Sequence, residues 1–226
     1  NWEEPESGTI VVLERINNTG TRQYFSLRKR LKRDIGRIYR YTITDQNGLQ
    51  IFLTAPSEND GYPVAARDPM LQINGSYDAK TFGPPAEIGD TVHIILDGND
   101  FKGAPEIIDP ATGQPAIIRI NTMRANSENV RVALDIEKEE SNVSRRKYNE
   151  NWFSINGQGF SVVRGDRELA FGEDFKIFTK NANHRWFKGE IHFPIIPAEV
   201  STNLDDLFGI RTEKHGVDID PRLVDT

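Results

Sequence analysis

The chain has 226 residues, 37% of them apolar and 27% charged, and a mean hydropathy of −0.56; its 12 Phe, 6 Tyr and 3 Trp argue for a packed core and against disorder. Cysteine is absent, which excludes a disulfide framework, a thiolate zinc site and a cysteine nucleophile. With 28 Lys and Arg against 34 Asp and Glu the net charge is −6, so bulk attraction to polyanions is excluded, and no stretch approaches the roughly eighteen apolar residues of a membrane span. A cytoplasmic chain without membrane contact is expected. The start, Asn1 followed by Trp2-Glu3-Glu4-Pro5, has neither the basic opening nor the apolar stretch of a signal peptide, and a fragment of a longer protein is expected.

Taken in order, Thr9 to Ile16 is a β-branched run that predicts a buried strand, and Asn17 to Thr21 a turn. From Ser26 onward Leu27, Leu31, Ile35 and Ile38 recur at helical spacing, which predicts an amphipathic helix with its basic residues on the other faces. Those residues, Arg28, Lys29, Arg30, Lys32 and Arg33, continued by Arg37 and Arg40, are the local candidate for a phosphate or nucleic-acid patch, although a solvated helix face is the more usual meaning of such a charge run. Tyr39 to Ile43 is expected to be extended, Asp45 to Gly48 a hairpin-type turn into Leu49 to Thr54, and the region around Pro63 a loop. Strands are predicted at Pro69 to Ile73 and Thr91 to Leu96, separated by Gly83-Pro84-Pro85, and Asp97 to Gln114 is expected to be irregular. Ala116 to Met123 and Asn129 to Ile136 then read as strands and Glu137 to Lys147 as a helix. Phe153 to Ile155, Phe160 to Arg164, Phe175 to Phe178 and Trp186 to Phe193 complete a strand-rich second half. Short strands with few helices predict an α+β domain.

Along the last of these strands Lys188, Glu190 and His192 share one face and Phe187, Ile191 and Phe193 the other. His184 and His192 would lie about 26 Å apart on an unbroken strand, so they cannot share a metal. Gly157-Gln158-Gly159 is followed by a strand pattern rather than a helix, which rules out a dinucleotide loop. Neither a nucleophile elbow nor a phosphate loop ending in Gly-Lys-Ser/Thr is present, and no catalytic residue is assigned within the chain.

Gly157 to Leu169, reading GQGFSVVRGDREL, and Leu204 to Lys214, reading LDDLFGIRTEK, resemble parts of the transducer, the second domain of the GHKL-class ATPases that include DNA gyrase, Hsp90, histidine kinases and MutL. Ser7 to Leu13 is similar to the Gly-Thr strand that closes the ATP-binding domain of that family. The basic helix ending at Ile35 to Arg40, and then Arg67-Asp68-Pro69, follow in the family's order. The resemblance implies the last strand and exit helix of an ATP-binding domain at residues 1–45. It implies a strand-rich α+β transducer at 46–226, similar to the ribosomal-protein S5 domain 2-like fold. Lys214, with Thr212 beside it, would reach the γ-phosphate of ATP, and Arg164 and Arg167 would organise the interdomain face. The ordinary reading of Lys214 is an exposed lysine paired with Glu213 or Asp218. The family's Glu/Asn helix, Asp-x-Gly-x-Gly loop and glycine-rich lid are missing from the sequence. ATP and magnesium are therefore expected only in a full-length protein, with no cofactor for this fragment alone. The implied partners are a preceding ATP-binding domain, a second copy in a homodimer, and a DNA or protein client. A reading from another class keeps the chain as a free-standing β-rich binding module, with Gly83 to Pro85 and Asp97 to Gln114 as its binding edge.

Overall fold

The computed structural model describes residues 24–44, 48–54, 61–97, 106–141, 152–154, 157–181 and 183–194. The chain divides into two units, Asn1–Arg67 and Asp68–Thr226. The expected strand at Thr9 to Ile16, the turn residues 45–47 and the segment from Leu204 to Lys214 lie outside the described residues.

In the first unit, α1 (Tyr24–Ile38) forms where the Leu27, Leu31, Ile35, Ile38 periodicity places it. Tyr39 to Ile43, expected to be extended, instead continues helically as α2 (Arg40–Thr44). Tyr39 N–H donates to Ile35 O at 3.0 Å and Ile43 N–H to Tyr39 O at 2.9 Å, so backbone hydrogen bonding carries through the joint and overrides the β-branched residues. β1 (Phe52–Leu53) and β2 (Tyr62–Pro63) pair antiparallel, so Pro63 begins no free loop. The chain then returns over α1, where Arg67 N–H donates to Gly36 O at 2.9 Å. A Cβ at Gly36 would collide with the backbone carbonyl oxygen of Ala65 and stand 2.9 Å from Arg67 Cγ, which is why the smallest residue occupies that contact.

The second unit opens on a turn where a strand was expected. Asp68 is fully buried, and its carboxylate accepts from the backbone N–H groups of Met70 (3.0 Å), Gln72 (2.7 Å) and Ile73 (2.6 Å). Those bonds curl residues 69–73 and leave Leu71 at a φ of 57°, incompatible with a strand. Ser76 caps α3 (Tyr77–Phe82) by accepting from Ala79 N–H at 3.2 Å. β3 (Pro85–Ile88) starts on a proline, as an outer strand permits, and β4 (Val92–Ile95) follows. The Asp97 to Gln114 region is less irregular than expected. Its described part contains β5 (Ile108–Asp109) and β6 (Gln114–Pro115), paired with each other, and Ile107 is buried in the core.

β7 (Ile117–Ala125) leads into α4 (Ser127–Ser141), which occupies the Asn129 to Ile136 stretch read as a strand. The side chain of Asn126 accepts from Glu128 and Asn129 N–H at 3.1 and 3.2 Å and starts the helix. Val130 and Leu134, four apart, are buried, whereas Val132 between them is half exposed; burial follows the helical period and not alternation. Trp152 to Ser154 is a turn and not a strand. β8 (Gly159–Arg164) falls at the expected Phe160 to Arg164 strand and makes a hairpin with β9 (Arg167–Glu173), and β10 (Phe187–Phe193) closes the sheet. Phe175 to Phe178, read as a strand, is a turn set by Asp174, whose side chain accepts from Lys176 N–H at 3.0 Å; Phe175 and Lys176 have φ of 47° and 62°.

The architecture is α+β, with a mostly antiparallel sheet in the order β3-β7-β10-β8-β9 and β4 also paired to β7. Only β8 and β10 run parallel among the described strands. Alternation sends Ile118, Val162, Ile191 and Phe193 into a core on one face. Met123, Ala125, Phe153 and Trp186 join Phe82 of α3 and Val130 and Leu134 of α4 in a core on the other. Among the described residues no helix is long and apolar enough to cross a membrane.

Candidate functional site

The residues of the Gly157-Gln158-Gly159 segment are fixed by different contacts. Gly157 lies against the backbone of Trp152, and its N–H donates to Ser154 O at 3.1 Å. Its carbonyl accepts from the Lys188 ammonium. Gly159 has a φ of 115° and faces the backbone of Glu173 on β9. Between them Gln158 is fully buried; its Oε1 accepts from Asn181 N–H at 3.0 Å. The Gln158 Nε2 has no hydrogen-bond partner among the described residues. Such a donor costs about 1–3 kcal/mol when nothing meets it.

Gln158 lines a cavity of about 870 Å³ in the second unit. β3 and the turn after it contribute Glu87, Ile88 and Gly89, and β7 contributes Thr122, Met123 and Arg124. Gly89 N–H donates to Thr122 O at 2.9 Å, which holds that wall against the sheet. The rest of the lining comes from the segment between β9 and β10, with Phe178, Asn183, His184 and Trp186, and from Phe187 at the start of β10, which pairs with Arg124. This segment is pinned locally: the Asn181 side chain accepts from Asn183 N–H at 2.9 Å and His184 N–H at 3.3 Å, and Trp186 O accepts from Ala125 N–H at 2.9 Å. Phe178 and Phe187 meet edge to face with centroids 6.3 Å apart, and the Arg185 guanidinium lies 4.2 Å from the Trp186 ring. At the rim, exposed Arg124 and Glu87 approach to 4.0 Å, a separation that leaves both heads free to reorganise.

The polar row of β10 is not a solvent face. Lys188 and Glu190 are buried, and the Glu190 carboxylate meets His192 Nε2 at 2.9 Å. The Lys188 ammonium sits 5.6 Å from the Phe153 ring. Burial first, then the Lys180 ammonium, holds Lys188 well below the usual lysine range. Among the described residues no group of three or more His, Asp or Glu is placed to hold a metal.

The sequence candidates are scattered. Arg164 and Arg167 face each other across the hairpin turn. On α1, Lys29 and Arg30 are exposed, but Arg28 stacks on Tyr62 at 3.8 Å and Arg33 pairs with Asp34 at 3.0 Å. Arg40 is fully buried and donates to Arg37 O at 2.7 Å, so it leaves the surface patch for the fold. Thr212 and Lys214 lie outside the described residues. Sequence reasoning missed the cavity; the available signal was a glutamine between two glycines at a strand start, where an amide side chain is forced inward.

Comparison with protein-family models, curated proteins and solved structures returned no match.

Proposed function

We propose that the chain is the transducer region of a GHKL-class ATP-binding protein, coupling ATP binding and hydrolysis in a preceding domain to conformational change or dimer closure. The observation that supports this reading is the Gly157 to Leu169 segment, whose β8 and β9 make a hairpin with Arg164 opposite Arg167. β8 lies inside the sheet, hydrogen-bonded to β9 on one side and to β10 on the other, so the turn carrying both arginines is rigidly coupled to the core. Under this reading the unit is a variant of the ribosomal-protein S5 domain 2-like fold.

Lys214 then donates to the terminal phosphate of ATP held by the preceding domain, a charge-assisted contact of about 1.5–3 kcal/mol that ends when the phosphate leaves. Arg164 and Arg167 hold the interdomain face, and Lys29 and Arg30 are the exposed remnant of a patch for a nucleic-acid client. The test is ATP turnover by the whole source protein, wild type against Lys214→Ala. Loss of the contact lowers the rate by about 10- to 150-fold. A whole protein that turns over no ATP, or an unchanged rate in Lys214→Ala, refutes the proposal.

A further inference from the structure

From the basic face of α1 and the tyrosine beside it we infer a binding surface for single-stranded nucleic acid, with the backbone on Lys29 and Arg30 and an unpaired base against the stack of Arg28 on Tyr62. The inference deepens the transducer reading: it rests on the nucleic-acid client of that reading and names the form the client takes. α1 carries six of the chain's 28 basic residues and one of its 34 acidic ones, so the helix has a net charge of +5 within a chain of −6, and the remainder stands at −11. Segregation of this size within one element concentrates positive potential in a chain that otherwise repels polyanions. Lys29 and Arg30 are exposed, and the one acid of the helix, Asp34, is met by Arg33 at 3.0 Å.

An aromatic ring narrows the class of polyanion. β2 pairs with β1 so that Tyr62 lies opposite Leu53. The Arg28 guanidinium rests 3.8 Å from the centre of the Tyr62 ring and the Lys32 ammonium 5.9 Å from it. These two residues are about one helical turn apart, so one ring gathers both cations on the same side of α1. Tyr62 keeps 38% of its surface exposed, where an unpaired base can join the stack. A nucleobase offers a flat π face to an aromatic ring or a guanidinium plane, and in a duplex the neighbouring bases already cover that face. An anionic bilayer satisfies the charge, but a helix lying on it needs an exposed apolar stripe, and Leu27, Leu31, Ile35 and Ile38 of α1 are partly buried. A cationic row beside an accessible stacking ring therefore favours an unpaired strand over a duplex or a membrane.

The experiment follows the fluorescence anisotropy of a labelled oligo-dT of about 15 nucleotides as the 226-residue chain is added. It is run between about 50 and 200 mM sodium chloride. A labelled duplex of the same length and vesicles of phosphatidylserine and phosphatidylcholine in equal parts are the other probes. The single strand is expected to bind about tenfold more tightly than the duplex, and vesicles are expected not to displace it. Each phosphate contact contributes about 0.7 to the slope of log affinity against log salt, so the double variant Lys29→Ala, Arg30→Ala flattens that slope by about 1.4. Tyr62→Ala weakens binding about tenfold, whereas Tyr62→Phe, which keeps the ring, binds as wild type. Lys29 and Arg30 are exposed, so the double variant carries the test even if Tyr62→Ala fails to fold. The inference is overturned if the oligonucleotide does not bind, if duplex or vesicles bind as tightly, if the double variant keeps the wild-type slope, or if folded Tyr62→Ala binds as wild type. ATP turnover by the whole source protein is read separately. Turnover that depends on Lys214 with no oligonucleotide bound removes this surface and keeps the transducer; binding without turnover does the reverse.

Discussion

Substituting Gly159 by alanine tests whether the joint between β8 and β9 is set by backbone approach. The φ of 115° is one that an L residue adopts at a cost of about 1–3 kcal/mol. The added Cβ would also lie 2.9 Å from the carbonyl carbon of Glu173 and 3.2 Å from that of Gly172. These are backbone atoms of the paired strand and cannot swing aside as a side chain does. Separating the strands enough to admit the methyl costs about another 1–3 kcal/mol. Together the two contributions come to about 2–6 kcal/mol, which in a chain of this size lowers Tm by an amount on the order of 10 °C. Thermal unfolding followed by near-ultraviolet circular dichroism reads it directly. Gly113→Ala is the internal control, because Gly113 has a φ of 67° but nothing within 4 Å of its Cβ, so it carries the conformational cost alone. If Gly159→Ala melts together with Gly113→Ala, the collision with β9 contributes nothing and the reasoning fails.

Asp68→Ala strips the carboxylate from three backbone N–H groups and lowers stability by about 2–4 kcal/mol in denaturant titration, with Asp68→Asn recovering part of the loss; equal stability of Asp68→Ala and wild type would contradict the turn assignment. Lys188 gives a pH signature. Its folded pKa lies below its ordinary value of 10.5, so between the two the unfolded chain binds more protons and stability rises with pH. Below the folded pKa both states carry the charge and the burial penalty is present in full. Lys188→Met, which removes the titrating amine, flattens that rise relative to wild type in melts taken from neutral to alkaline pH; a parallel pair of curves would show that the Lys188 charge is not desolvated.

The sequence announced an element wherever one periodicity dominated. Leu27, Leu31, Ile35 and Ile38 mark α1, and the β-branched centre of Phe160 to Arg164 marks β8. It misled where one side chain rearranged the local backbone. Nothing in Pro69 to Ile73 signals that the Asp68 carboxylate gathers the N–H groups of that segment, and Asp174 does the same to the apolar run from Phe175 to Phe178. Val130 and Val132 suggest alternation, yet the residue that joins Val130 in the core is Leu134, one helical turn on. The cavity was illegible for a related reason. Its walls are contributed by segments distant in sequence, and Phe178 and Trp186 become neighbours of Ile88 only after the sheet has closed.

The central place of β10 bears on how the protein is made. Ile191 pairs with Ile120, roughly seventy residues earlier, a long-range contact of the kind that slows closure. β7 and β8 each use β10 as a neighbour, and it is the last of the described strands to leave the ribosome. Without β10, β7 and β8 lack the strand that lies between them, and each has an open hydrogen-bonding edge on that side. Among the described strands the two parts of the sheet are joined only through β10, which makes it the keystone between them.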